Sequence, residues 1–109
     1  MKKSSHIKKL AISTLDIEAE SIKKKKKFIN DHFVDTVRFL TSIKGRIVVT
    51  GIGKSAIIAQ KIVATFNSTG SPSIFMHAAD AIHGDLGIIQ KNDAIICISK
   101  SGDTPEIKV

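Results

Sequence analysis

The sequence predicts an α/β protein, a three-layer sandwich built on a parallel sheet and preceded by N-terminal helices. Three observations carry this. Residues 47–50, 73–77 and 94–98 are short apolar runs, and the first and last are rich in β-branched residues without polar alternation, as in strands buried on both faces. Between the first two runs Ala59, Ile62, Val63 and Phe66 recur at helical spacing. Glycine- and hydroxyl-bearing loops, 51–55 and 99–105, follow the first and third runs, where a parallel sheet hands over to helices. The order from residue 46 is β-α-β-(α)-β-loop-α, with no internal repeat.

The elements follow in chain order. Residues 6–28 read as a helix with Ile7, Ala11, Leu15 and Ile22 on one side. Its end is a run of five lysines, 23–27. They read as a solvated, partly frayed helix end or as a polyanion-binding patch. Asn30-Asp31 is a break or cap, after which Ile29, Phe33, Val37 and Leu40 form a second stripe reaching Ile43. Gly45 suits the left-handed position that closes a helix. Thr69-Gly70-Ser71-Pro72 ends the helix after Lys54 by turn chemistry. Residues 78–84 read as a short helix or ordered loop, and 85–87 and 91–93 as turns. Pro105 and Glu106 open a last helix, of which residue 109 closes only about one turn. A sheet of three strands with one unfinished helix leaves a face poorly covered. The expectation is therefore an N-terminal piece of a longer protein, with residues 1–44 a helical segment and 45–109 the first half of the sheet domain.

Composition narrows the function classes. The 109 residues hold one small domain. Five Phe, no Trp and no Tyr leave few rings for stacking bases. The net charge of +7 lies entirely in residues 1–50, while 51–109 are neutral. A nucleic-acid or anionic-membrane role would live in the N-terminal part. No apolar run approaches the ~20 residues of a membrane span. The lone cysteine, Cys97, lies in an apolar run and reads as a small buried hydrophobe.

The polar loops carry the chemistry. Gly51-Ile52-Gly53-Lys54-Ser55 follows a strand and opens a helix, whose first backbone N–H groups can face an anion beside a lysine and a hydroxyl. It is too short for a Walker loop, because Val48 stands where the first glycine belongs. It matches a dinucleotide fingerprint through Ala56, but no acidic residue ends the second strand. Ser99-x-Ser101-Gly102-x-Thr104 offers three hydroxyls that can enclose a phosphate, or an ordinary capping loop. Both loops lie beyond strand carboxyl ends and could line one crevice. His77 and His83 are six residues apart. Without a clear third ligand they make a weak zinc site.

Four motifs in one order carry a resemblance: Gly51-Ile52-Gly53-Lys54-Ser55, Ser68-Thr69-Gly70-Ser71-Pro72, His83-Gly84-Asp85-Leu86-Gly87 and Ser99-x-Ser101-Gly102-x-Thr104-x-Glu106. Together they resemble the sugar isomerase (SIS) domain of the arabinose-5-phosphate isomerase family, a flavodoxin-like nucleotide-binding type of fold. The resemblance covers about residues 7–109. It implies interconversion of D-arabinose 5-phosphate and D-ribulose 5-phosphate, feeding Kdo for lipopolysaccharide or capsule. It implies a cytoplasmic homo-tetramer with no required cofactor and no nucleic-acid or membrane partner. Lys54 and Glu106 fall at catalytic positions. Gly70, Ser71 and His83 fall at substrate-binding positions, with Ser55, Ser99, Ser101 and Thr104 as further ligand contacts. His77 falls at a position associated with inhibitory zinc. Ala78-Ala79 stands where many members carry Pro-Gly, and Lys100 where Asn is common. The family's second catalytic glutamate and a later histidine have no counterpart within these residues. The resemblance thus implies that the chain by itself is not a competent enzyme. A sugar-phosphate-binding SIS regulatory module without catalysis is the alternative.

Overall fold

The computed structural model describes residues 3–79 and 85–100, apart from the side chains of 85 and 86. The residues form two compact units, Met1–Arg38 and Phe39–Val109.

In the first unit, α1 (Ser4–Lys23) has no buried residue. Ile7, Leu15 and Ile22 of its apolar stripe remain exposed. The five residues Lys24–Phe28 then tighten into a 3-10 turn. All five are exposed, and a 3-10 turn is a common way for an α-helix to end. Asn30 caps α2 (Asp31–Ser42), its Oδ1 accepting from the Phe33 N–H at 3.1 Å.

The second unit is built on the sheet. Strands β1 (Ile47–Gly51), β2 (Ser73–His77) and β3 (Ala94–Ile98) pair in parallel in the order β2-β1-β3. All five residues of β1 are buried, as expected of a central strand. The register sets Ile47 beside Ser73 and Ala94, and Gly51 beside His77 and Ile98. The three strands therefore end level. Helix α3 (Lys54–Ser68) joins β1 to β2. Its Ala59 meets Ile47 and Val49 in the core, with Leu40, Ile43, Ile62, Val63, Phe66, Phe75, Ile96 and Ile98 packed around them.

Side chains alternate along a strand, so Val48, Thr50, Ile95 and Cys97 face away from α3. Val48 and Thr50 are buried, but Ile95 is 48% exposed and Cys97 is exposed. This corrects the expectation of a buried Cys97. An apolar run implies burial only where both faces of its strand are covered, and among the described residues β3 lies at the sheet edge with its face away from α3 open at Ile95 and Cys97.

The amino edge of the sheet is tied by a polar clasp. Asp93 accepts from the Arg46 N–H at 2.7 Å, from Arg46 Nη2 at 3.0 Å and from the Gln90 N–H at 2.8 Å. The Arg46 side-chain bond is foremost among these in holding the carboxyl down, at about 2 against an ordinary 3.8. Asn67 brackets Ser73 from both sides: its Oδ1 accepts from the Ser73 N–H at 2.8 Å and its Nδ2 donates to the Ser73 carbonyl at 3.1 Å.

Candidate functional site at the carboxyl edge of the sheet

Two glycines aim the loop after β1. A Cβ on Gly51 would lie 2.9 Å from the Ser55 carbonyl and 3.1 Å from the Ala56 nitrogen. Its bareness lets the first turn of α3 press against the end of the strand. Gly53 turns the chain at φ 61°, ψ −130°, a conformation glycine alone adopts readily. It serves as the N-cap of α3 and supplies no side-chain hydrogen bond.

Lys54 is thus the first residue of α3 and is exposed, with Ser55 half-buried behind it. The first turn of α3 has no acidic residue. Helix starts carry partial positive charge and favour Asp or Glu, so a lysine there opposes the helix dipole. The loop gathers a cation, a hydroxyl and helix-start N–H groups in one place, which suits an anionic ligand.

Pairing of β1 with β3 brings the second loop alongside. Ile98 is level with Gly51, so Ser99 and Lys100 leave the sheet next to Ile52 and Gly53. Ser99 is half-buried and Lys100 exposed. With β1 central between β2 and β3, this is the switch point at which flavodoxin-like sheets bind ligands. Ser101, Thr104, Glu106 and His83 lie outside the described residues.

His77 ends β2 level with Gly51. Its Nδ1 accepts from the Ala79 N–H at 3.1 Å, and its ring meets Phe75 edge-on at 6.2 Å. An imidazole accepting at Nδ1 carries its proton on Nε2. In this arrangement neither nitrogen offers a lone pair to zinc. Among the described residues no three potential ligands gather.

Gly70 and Ser71 are elsewhere. They precede β2, whose first residue is level with the start of β1. One strand length, roughly 16 Å at the usual rise, separates them from the Lys54 loop. Gly70, at φ 92°, and Ser71 close α3: the Ser71 N–H donates to the Phe66 carbonyl at 2.8 Å and the Gly70 N–H to that of Asn67 at 3.5 Å. With Leu40, Ile43, Ile47 and Pro72 they line a shallow hollow of about 240 Å³.

Thr50 is a residue that motif reasoning passes over. It is buried one position before the Gly51 loop, and its hydroxyl has no hydrogen-bond partner. The available signal is that it is the one hydroxyl in an otherwise apolar run.

The profile of the SIS domain matches residues 39–109. The chain belongs to the SIS domain family. This SIS chain is 45% identical over 94 residues to "Arabinose 5-phosphate isomerase KdsD" of Pseudomonas aeruginosa, covering 86% of the chain and 29% of that protein. It is 42% identical over 107 residues to the protein of the same name in Francisella tularensis, covering 95% of the chain and 32% of the relative. The SIS chain therefore spans about a third or less of the curated relatives it matches. A solved structure of E. coli CFT073 c3406 in complex with arabinose 5-phosphate superposes with a TM-score of 0.91 at 38% identity, over 98% of this chain and 57% of that one.

Proposed function

We propose that this SIS domain serves a sugar-phosphate aldose–ketose isomerase that interconverts D-arabinose 5-phosphate and D-ribulose 5-phosphate. The observation that supports it most is the superposition on a relative solved in complex with arabinose 5-phosphate. The reaction moves a proton between C1 and C2 through an enediol, which needs a base at carbon and a cation or donor at the developing oxyanion. Lys54 stabilises that oxyanion or orients the open-chain sugar, and its place as the exposed first residue of α3 supports this. Glu106 shuttles the proton or holds Lys54. Ser99, Ser101 and Thr104 hold the phosphate beside Ser55, and His83 contacts the sugar.

In the same proposal the protein is a cytoplasmic homo-tetramer needing no cofactor and supplying Kdo synthesis. Zinc acts at His77 only as an inhibitor, after the imidazole gives up its bond from Ala79. Gly70 and Ser71 of one copy then meet the substrate in the crevice of another, since their own lies a strand length away.

A graft tests the reading. Residues 1–109 replace the matching segment of the Pseudomonas aeruginosa relative, and the product is incubated with D-ribulose 5-phosphate. Formation of D-arabinose 5-phosphate is the expected result. A folded graft that binds the sugar phosphate but never converts it would favour the regulatory-module alternative, and one that does neither would defeat both.

A further inference from the structure

The five lysines at and just after the end of α1 belong to none of the motifs read as the sugar-phosphate site. Residues 21–30 hold five lysines and no acidic residue. Among the described residues the one ion pair there, Lys23 with Glu20, is 4.0 Å long and exposed on both sides. Every residue from 22 to 29 is exposed. At the rise of a 3-10 turn, about 2 Å per residue, the backbones of Lys24–Lys27 span about 6 Å, less than a Debye length of ~8 Å.

Apolar side chains are set into this charge. Ile22 is 72%, Phe28 57% and Ile29 59% exposed. The ammonium groups of Lys25 and Lys27 lie 5.6 and 5.2 Å from the centre of the Phe28 ring, within cation–π range. A solvated charge run would send its lysines apart, whereas here two of them converge on one exposed ring.

We propose that Lys23–Lys27 with Phe28 is a docking surface for an anionic lipid bilayer. The mixture of groups selects this partner. A bilayer offers phosphate and carboxylate charge to the lysines and an apolar boundary to Phe28 and its isoleucine neighbours. Nucleic acid satisfies the charge alone: residues 21–30 hold a single ring to stack on a base and no arginine to fork onto phosphate or guanine, and the exposed Ile22 and Ile29 find no apolar counterpart there. The docking is peripheral, since no described helix is long and apolar enough to cross a membrane. It departs from the expectation that the protein has no membrane partner.

Sedimentation of the 109-residue chain with phosphatidylcholine vesicles, with and without about one third phosphatidylserine, tests this. Binding is expected only with the anionic vesicles and is expected to weaken steeply with salt. Replacing Lys24, Lys25 and Lys26 by Gln should lower the partition coefficient roughly 100-fold. The same loss of charge at Lys44, Lys61 and Lys91, all exposed, should lower it far less. Phe28→Ala should weaken binding severalfold while keeping the salt dependence. Absence of binding to anionic vesicles at low salt overturns the proposal, as does an equal loss in the two triple variants. Salt-sensitive retention on duplex DNA by a chain that ignores the vesicles would overturn it in favour of nucleic acid. The variants change exposed side chains, and far-UV circular dichroism checks that each remains folded.

Discussion

The two edges of one sheet are held by opposite means. At the amino edge Arg46, Asp93 and Gln90 close a hydrogen-bonded clasp in which the buried Arg46 Nε has no partner among the described residues, Asn67 brackets Ser73, and Gly70 and Ser71 finish α3. At the carboxyl edge Gly51 and Gly53 remove side chains, Lys54 opposes a helix dipole, and the Thr50 hydroxyl is buried without a partner. The first edge commits most of its polar groups to the fold itself, with Arg46 Nε the exception among the described residues. The second leaves charge and donors uncommitted, which is how a scaffold keeps capacity for a ligand while its stability is secured elsewhere.

The sharpest way to break this contrast is at Lys54. In the active graft, Lys54→Ala should lower turnover about 100- to 1,000-fold, as loss of an oxyanion partner does. It should change stability by no more than about 0.5 kcal/mol, since the side chain is exposed. Turnover close to that of the parent would remove Lys54 from the site.

The glycines come next. Gly51→Ala pushes a methyl into the Ser55 backbone and should cost about 1–3 kcal/mol in chemical denaturation, with loss of sugar-phosphate affinity as the start of α3 moves. Gly45→Ala at the other edge meets the Asn92 carbonyl and should destabilise comparably while leaving affinity in the folded fraction unchanged. Equal effects on affinity would erase the distinction between the edges. Gly53→Ala meets no neighbour within 4 Å but retains φ 61°, so its cost is conformational, roughly 1–2 kcal/mol.

The smallest effect belongs to the clasp and appears only in acid. Asp93 titrates at about 2 when folded and near 3.8 otherwise, so the folded state prefers its carboxylate. That contribution is complete above about pH 4 and is lost as pH falls from 3.8 towards 2. Thermal melts across this window should show a decline that is shallower in Asp93→Asn, which starts from a lower melting temperature. An unchanged slope would place the acid sensitivity elsewhere.

Much of this architecture is legible in the residues. The runs at 47–50, 73–77 and 94–98 became β1, β2 and β3 because unbroken apolar segments between turn residues have few alternatives to a buried parallel strand. Asn30 caps α2 and Gly70 closes α3 as turn chemistry requires. The exposure of Cys97 is a miss, because it depends on which elements become neighbours, and local pattern is silent on that. The separation of Gly70 and Ser71 from Lys54 and the Ala79 bond to His77 are likewise set by neighbouring elements that the motifs do not specify. The lysine run adds a different limit, since propensity favours continued α-helix through residues that the structure closes as a 3-10 turn. Four expected site residues, His83, Ser101, Thr104 and Glu106, lie outside the described residues.

The Arg46–Asp93 clasp also has a meaning in time. Pairing β3 with β1 closes a loop nearly twice as long as pairing β2 does, which costs only roughly 0.5 kcal/mol more in closure entropy. Because the clasp ties the starts of the two strands, it favours their zipping from Arg46 towards Gly51. The ligand edge is then the last part of the ladder to form and the first to fray. Hydrogen exchange should reveal it as a gradient, with the amides of Thr50 and Gly51 opening more often than those of Ile47 and Val48. A bound sugar phosphate would flatten that gradient by holding shut the end that folding secures least.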